Sequence, residues 1–234
     1  MKYQIDTIPV LKAYEKAVEC PICNLKEKAE EAGIRYYLGH SVMVPEIRIK
    51  LNETGFCKSH FTALLNAEDS RLGLALMTHT RMLKVCQDMK KELSPGSLGG
   101  GYFDKKTKKL IEKIEKTEKS CPLCIEISQT LLRYSATIAW LWDNEPDFPE
   151  VLLNSKGFCH THLPLIFATG ADMLTRKKYT EYYQQIYNLQ TREMNRMAEE
   201  IEWNTKKFDT TNKDASWGTS RDALPRAIGK LIGS

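Results

Sequence analysis

Apolar residues along the chain recur at the three- and four-residue spacing of a helical face, and no convincing run of strand-like alternation stands out. Leu11, Tyr14 and Val18 make one short amphipathic run; Leu110, Ile111 and Ile114 make another. Within the second, Asp104–Ser120, the pairs Glu112–Lys116 and Glu115–Lys119 place the glutamate four residues before the lysine, the orientation that supports a helix. Further helical stretches are predicted over Asn24–Leu38, Arg71–Leu93, Ile125–Asp143 and Ala171–Phe208. The pattern predicts an all-α protein.

An internal repeat organises these elements. Cys20-Pro21-Ile22-Cys23 is followed by Leu51-Asn52-Glu53-Thr54-Gly55-Phe56-Cys57-Lys58-Ser59-His60. Cys121-Pro122-Leu123-Cys124 is followed by Leu153-Asn154-Ser155-Lys156-Gly157-Phe158-Cys159-His160-Thr161-His162. Each half reads CPxC and then LNxxGFCxxH, and a Pro-Glu pair (Pro45-Glu46, Pro149-Glu150) precedes each GFC. So many shared positions mark two copies of one structural unit. The expected organisation is two tandem homologous helical units of about four helices each, 1–93 and 104–208. The Gly-rich stretch 94–103 would link them, and 209–234 would form a C-terminal extension.

Composition narrows the class without naming a function. The chain has 234 residues, a formal charge of +4, 42% apolar residues and 27% charged ones, all within the globular range. A chain of this length buries a core without help from metals or disulfides. The charge excess is too small to demand nucleic acid or an acidic membrane as partner. Met1–Lys12 has no apolar run suited to a secretion signal, and Leu163–Leu174 and Ser135–Trp142 fall far short of the ~20 residues that span a bilayer. A cytoplasmic protein is expected, with no membrane partner. Cytosolic thiols stay reduced, so the seven cysteines read as metal ligands or reactive groups rather than disulfides.

The motifs supply a metal-ligating set. With Cys20 and Cys121 as N-caps, Pro21 and Pro122 take the first helical position, where a missing N–H costs nothing. Cys23 and Cys124 then lie in the first turn, at the positive end of the helix, which favours thiolate. With Cys57 as N-cap, Phe56 and Phe61 occupy the positions of a hydrophobic staple, repeated by Phe158 and Leu163 around Cys159. Cys57 with His60, and Cys159 with His162, are three apart and share a face. Gly55 and Gly157 allow a left-handed backbone beside them. Each half therefore carries three cysteines and one histidine, a closed tetrahedral set for Zn2+. The expected ligands are Cys20, Cys23, Cys57, His60, Cys121, Cys124, Cys159 and His162, in two sites, with iron–sulfur clusters as the alternative. Spacing leaves open whether each set closes within its own half or is exchanged between halves.

Other readings weigh less. CPxC also occurs in dithiol oxidoreductases, but there it follows a strand, and none is predicted before Cys20 or Cys121. His160 reads as a surface residue and His40 as a turn residue. His79 and Cys86, with Met82 between them, read as core or groove lining on one helix. Tyr179, Tyr182, Tyr183, Ile186, Tyr187, Met194, Met197 and Ile201 form a stripe expected to pack against other helices. The lysines of 105–119 alternate with glutamates and read as a solvated face. In the extension, Asp222 would cap a helix with Pro225 in its first turn. Arg221 and Arg226 near that helix start could hold an anion; docking of the tail through Trp217 and Leu224 is the favoured reading.

The paired CPxC and GFCxxH motifs, the stretch Leu76-Met77-Thr78-His79-Thr80 and the tail from Ser220 to Ile228 together resemble an uncharacterised bacterial family of about this length. The resemblance implies a bacterial, cytosolic protein and brings no activity. Closed ligand sets, and no visible nucleophile–base pair, phosphate loop or open carboxylate–histidine site, favour a metal-clamped module that presents a surface to a protein partner over an enzyme. Nucleic acid is a lesser variant, because the motif spacing far exceeds that of a zinc finger. The competing class is redox: electron transfer by clusters, or dithiol exchange by CPxC.

Overall fold

The computed structural model describes residues 3–67, 71–92, 105–118 and 120–233. Among them are eleven α-helices and no strand, so the all-α expectation holds. In chain order these are α1 (Thr7–Tyr14), α2 (Pro21–Leu38), α3 (Pro45–Thr54), α4 (Lys58–Asn66), α5 (Arg71–Glu92) and α6 (Lys105–Glu118). Then follow α7 (Pro122–Asn144), α8 (Phe148–Leu153), α9 (Leu163–Met173), α10 (Arg176–Lys206) and α11 (Ala223–Ile232). His40, expected in a turn, opens a short 3-10 segment, His40–Met43. The stretch predicted as linker, 94–103, lies outside the described residues, as does Lys119 of the pair with Glu115. None of the described helices is long and apolar enough to cross a membrane.

Contacts sort the chain into two compact units that do not coincide with the sequence halves. One comprises Met1–Lys28 and Thr130–Ser234; the other is Ala29–Gln129. The division falls inside α2 and α7, the two helices that CPxC opens. Each therefore begins in one unit and ends in the other.

In the first unit the core gathers on α7, whose Ala136, Ile138, Ala139 and Leu141 are buried. Tyr14 meets Phe148 edge-on at 5.3 Å, and Trp142 meets Tyr182 in the same way at 5.3 Å. On α1 the buried residues are Val10 and Ala13, while Leu11 of the predicted face stays exposed. The run predicted as one helix from Ala171 is broken: α9 ends before the extended Leu174, and Thr175, also extended, stands at the N-cap position of α10 without a side-chain cap. On α10, Tyr182, Ile186, Leu189, Gln190, Glu193 and Met197 are buried, the spacing of a helical seam. The predicted stripe is thus half right. Tyr183 and Tyr187 face solvent, and two polar residues sit in the seam because each has partners. Gln190 donates to the Phe158 carbonyl at 2.8 Å and accepts from the Phe158 N–H at 3.0 Å; Glu193 pairs with Arg192 and Arg196.

The C-terminal extension packs into this same unit, against α10. Asp222 precedes α11 but makes no side-chain cap; its carboxylate accepts from Arg226 instead. Leu224, expected to dock the tail, is exposed, and docking runs through Ala223, Arg226 and Lys230. Arg226 pairs with Glu19 at 3.0 Å and Glu200 at 2.6 Å, and Arg196 reaches the same Glu19 at 2.6 Å. Arg226 is held by these carboxylates, whereas Arg221 is exposed. The Trp217 ring lies under the buried Lys207 ammonium, 5.3 Å away.

The second unit has a smaller core built on Leu51, Leu64, Leu74, Met77, Leu123 and Ile127. Tyr37, Phe56 and Phe61 form a chain of edge-on rings, 5.1 and 5.4 Å between successive centroids. A methyl at Gly33 of α2 would overlap Leu123 of α7, so glycine permits that close approach. His79, Met82 and Cys86 on α5 are exposed rather than buried. Lys113 of α6 pairs with Asp88 of α5 at 2.7 Å.

Burial depresses solvent screening around Arg226, and its removal leaves Glu19 and Glu200 short of a partner. Replacing it, Arg226→Gln, is expected to lower the stability of the folded chain by about 2 kcal/mol, read from the urea midpoint at unchanged slope.

Candidate metal centres

The four helix starts place the ligands. Cys20 and Cys121 immediately precede the prolines that open α2 and α7, as the sequence predicts. Cys57 is the N-cap of α4, and Phe56 packs on Phe61 as the predicted staple. Gly55 and Gly157 have φ of 67° and 69°, a region that side-chain-bearing residues avoid, and both turn the chain into the motif. The fourth start differs. Residues 160–162 form a turn, His162 is the N-cap and α9 begins only at Leu163. Pro164 has no N–H to bond the carbonyl at 160, and the His160 N–H is taken by the Lys230 carbonyl at 2.8 Å. Cys159 and His162 still converge, Sγ to Nδ1 at 3.2 Å, the distance also found between Cys57 and His60.

The pairing of motifs is crossed between the sequence halves. Cys20, Cys23, Cys159 and His162 form one group; Cys57, His60, Cys121 and Cys124 form the other. The ligand atoms within each group lie within 4.8 Å of one another. Thus CPxC of each half meets GFCxxH of the other half, and each completed group belongs to one compact unit. Spacing alone left this open. In the first group Cys23 Sγ lies 3.6 Å from Cys159 Sγ, and His162 Nδ1 lies 3.4 Å from Cys23 and 3.8 Å from Cys20. In the second, Cys57 Sγ lies 3.6 Å from Cys124 Sγ, and His60 Nδ1 lies 3.3 Å from both Cys121 and Cys124. Tetrahedral zinc, with Zn–S and Zn–N bonds of about 2.3 and 2.0 Å, sets its ligand atoms about 3.5–3.8 Å apart. Both groups could hold an ion with little adjustment.

Neighbouring residues that the motifs do not reveal support the sites. Glu30 of α2 lies 3.4 Å from His60 Nε2, which fixes the ring with Nδ1 toward the sulfurs. Arg192 of α10 donates to the Leu153 carbonyl at 2.7 Å, and Arg81 of α5 to the Asn52 carbonyl, so the approach to each GFC turn is held from the second helix beyond it. Beside the first group, buried Lys230 donates to the carbonyls of Glu19 and Lys156. Burial pulls the Lys230 ammonium down and the Glu19 carboxylate resists that pull. No motif could flag these residues, because their partners lie on distant elements; Glu19, next to Cys20, corresponds to Ser120 in the other half. His160, by contrast, is on the surface as expected.

Without a cation two of the crowded sulfurs, those of Cys20 and Cys124, resist ionisation. Hydrogen bonds with Cys159 and Cys23, and then burial, hold the Cys20 thiol far above its ordinary range. Burial and the adjacent Cys57 and Cys121 push Cys124 up to about 12. Burial also raises Cys57, but the Ser59 hydroxyl and the His60 N–H outweigh it and leave the thiol below its usual value. Burial favours neutral His162, yet the sulfurs of Cys159 and Cys23 prevail and raise it from 6.5 to about 9.

These directions set a pH dependence. A histidine raised on folding stabilises the fold below its unfolded value and loses that contribution as pH climbs through the folded one. The raised thiols act with the same sign at higher pH, and the lowered Cys57 opposes them. Chelator-treated protein is therefore expected to lose stability between pH 6.5 and 9. Metal-loaded protein should show the reverse trend, because ligation requires deprotonated sulfur. Urea midpoints at the two pH values, with and without zinc, decide the matter.

No curated protein and no solved structure matches the chain. A family model does, and it covers both CPxC motifs, both GFCxxH motifs and the α11 tail. With that match running over residues 1–234, the chain belongs to the family of unknown function DUF6062.

Proposed function

We propose that the protein is a zinc-clamped helical module in which two Zn2+ ions serve as structural crosslinks. The observation that carries this reading is the convergence of all eight motif residues into two compact Cys3His quartets. Every protein ligand position of a tetrahedral ion is filled, and among the described residues no carboxylate–histidine site with an open position adjoins it, which favours a structural over a catalytic ion. An iron–sulfur cluster would put several irons and sulfides between its ligands and so spread them wider than one ion does. Contacts of 3.2–3.8 Å suit the single ion. A dithiol role for CPxC alone leaves the matched CxxH pair unexplained.

The crossed pairing gives such ions a large structural task. In the first group the ligands joined are separated by up to 142 residues, and in the second by up to 67. Each crosslink would close a long loop, and structural zinc contributes on the order of 10 kcal/mol to folding. What the clamped helices present is read as a surface for a protein partner. Leu72, Leu76 and Leu83, exposed along α5 at helical spacing, support that reading.

Elemental analysis of the purified chain is expected to give two equivalents of zinc and a colourless solution; a brown anaerobic preparation would favour clusters. Combined substitutions test the pairing. Cys20→Ala with Cys159→Ala should retain one ion, because both fall in one centre. Cys20→Ala with Cys57→Ala should retain none. Ligation within each sequence half predicts the opposite result for both pairs.

A further inference from the structure

The two quartets have the same donors but not the same surroundings. All four ligands of the first group are buried, and Cys159 has no exposed surface. In the second group Cys57 and Cys124 are only half-buried. The chain just before and after Cys57, with Arg81, lines an open hollow of about 520 Å³. The difference has a visible cause. The end of α11 lies over the first group: a methyl built on Gly233 would stand 3.7 Å from Cys159 Sγ and 3.8 Å from Cys23 Sγ. The helix is pinned there by the Lys230 carbonyl on the His160 N–H and by the Lys230 ammonium on the Glu19 and Lys156 carbonyls. Arg226 pins its start to Glu19 and Glu200. A second hollow, about 380 Å³ between α2 and α11, does reach Cys20 and Cys23. It leaves them only 4% and 5% exposed, and Pro225, Arg226 and Gly229 of α11 form its wall. Among the described residues the second group has no equivalent cover.

We propose that the two centres are kinetically distinct: Cys57, His60, Cys121 and Cys124 form an exchangeable zinc site open to a competing soft-donor acceptor, while α11 locks the other ion in place. This rests on the metal reading above. Exchange at a filled tetrahedral site requires a ligand to leave. At the exposed centre an incoming donor bonds zinc as the Zn–S bond to Cys57 or Cys124 breaks, and the released sulfur takes a proton from water. At the covered centre the same step first requires α11 to lift, a local opening that draws on the Arg226 and Lys230 contacts. The exposed site thus suits transfer of Zn2+ to and from a thiol- or imidazole-bearing acceptor, and the covered one suits permanent structure.

The test follows zinc release from the full-length two-zinc protein into excess 4-(2-pyridylazo)resorcinol. Two phases of equal amplitude are expected, separated by about tenfold or more in rate. After the fast phase, N-ethylmaleimide should label the half-buried Cys57 and Cys124 and spare Cys20, Cys23 and Cys159, a readout that needs no variant. Lys230→Met should speed the slow phase and leave the fast one unchanged. A single phase, or labelling of Cys20, Cys23 and Cys159 first, would overturn the proposal while leaving the two-zinc reading intact. Protein that takes up no zinc would instead overturn the reading on which it rests.

Discussion

The structure depends on the meeting of sequence-distant sulfurs. Each CPxC cysteine pair belongs to the first turn of a long helix, and each CxxH pair to a turn that opens another. Neither pair can complete a four-donor set alone. The complement comes from the other half of the chain, so the two quartets cannot form until residues far apart in sequence have been brought together. Bringing them together costs loop-closure and side-chain entropy, and it crowds three thiols against an imidazole. In the absence of a cation that crowding disfavours the thiolate form, as the raised Cys20 and Cys124 show. A divalent ion bound there would turn the same crowding into cohesion.

Around that constraint the two units solve the packing problem differently. The second relies on aromatic edges and a glycine-mediated approach of α2 to α7. The first adds a buried polar network: Glu19, directly before Cys20, gathers Arg196, Arg226, Lys156 and Lys230 from three later parts of the chain. Charges taken out of water cost more than they return unless each is paired, and here the carboxylates of Glu193 and Glu200 complete the pairing. The result is a C-terminal helix anchored by its charged residues, with Leu224, Ile228 and Leu231 left facing outward. That inversion of the usual amphipathic arrangement follows from what the helix covers, a sulfur-rich site next to a half-buried glutamate.

Local physics explains why much of the fold was readable beforehand. Helix starts at Pro21, Pro122 and Lys58 follow from proline and N-cap chemistry that involves only a few adjacent residues. The positive φ of Gly55 and Gly157 and the Phe56–Phe61 staple are of the same kind. The misses share a cause too. Leu11 yields to Val10 and Ala13, and Leu224 to Ala223, because the buried side of a short helix is chosen by its neighbours. The delayed start of α9 needs Pro164, which was visible, and the Lys230 carbonyl, which was not.

The amino-acid sequence by itself determined the helical class, the duplicated motif and the identity of the eight cysteine and histidine residues, because these rest on periodicity, capping and donor chemistry. Tertiary structure alone decided which motif meets which. It alone placed α2 and α7 across two compact units, recruited Glu30 to His60, and set the end of α11 over one quartet while leaving the other half open. The physical reason is that donor type is a property of a residue, whereas convergence and burial are properties of chain segments far apart in sequence, and no local pattern encodes their distance.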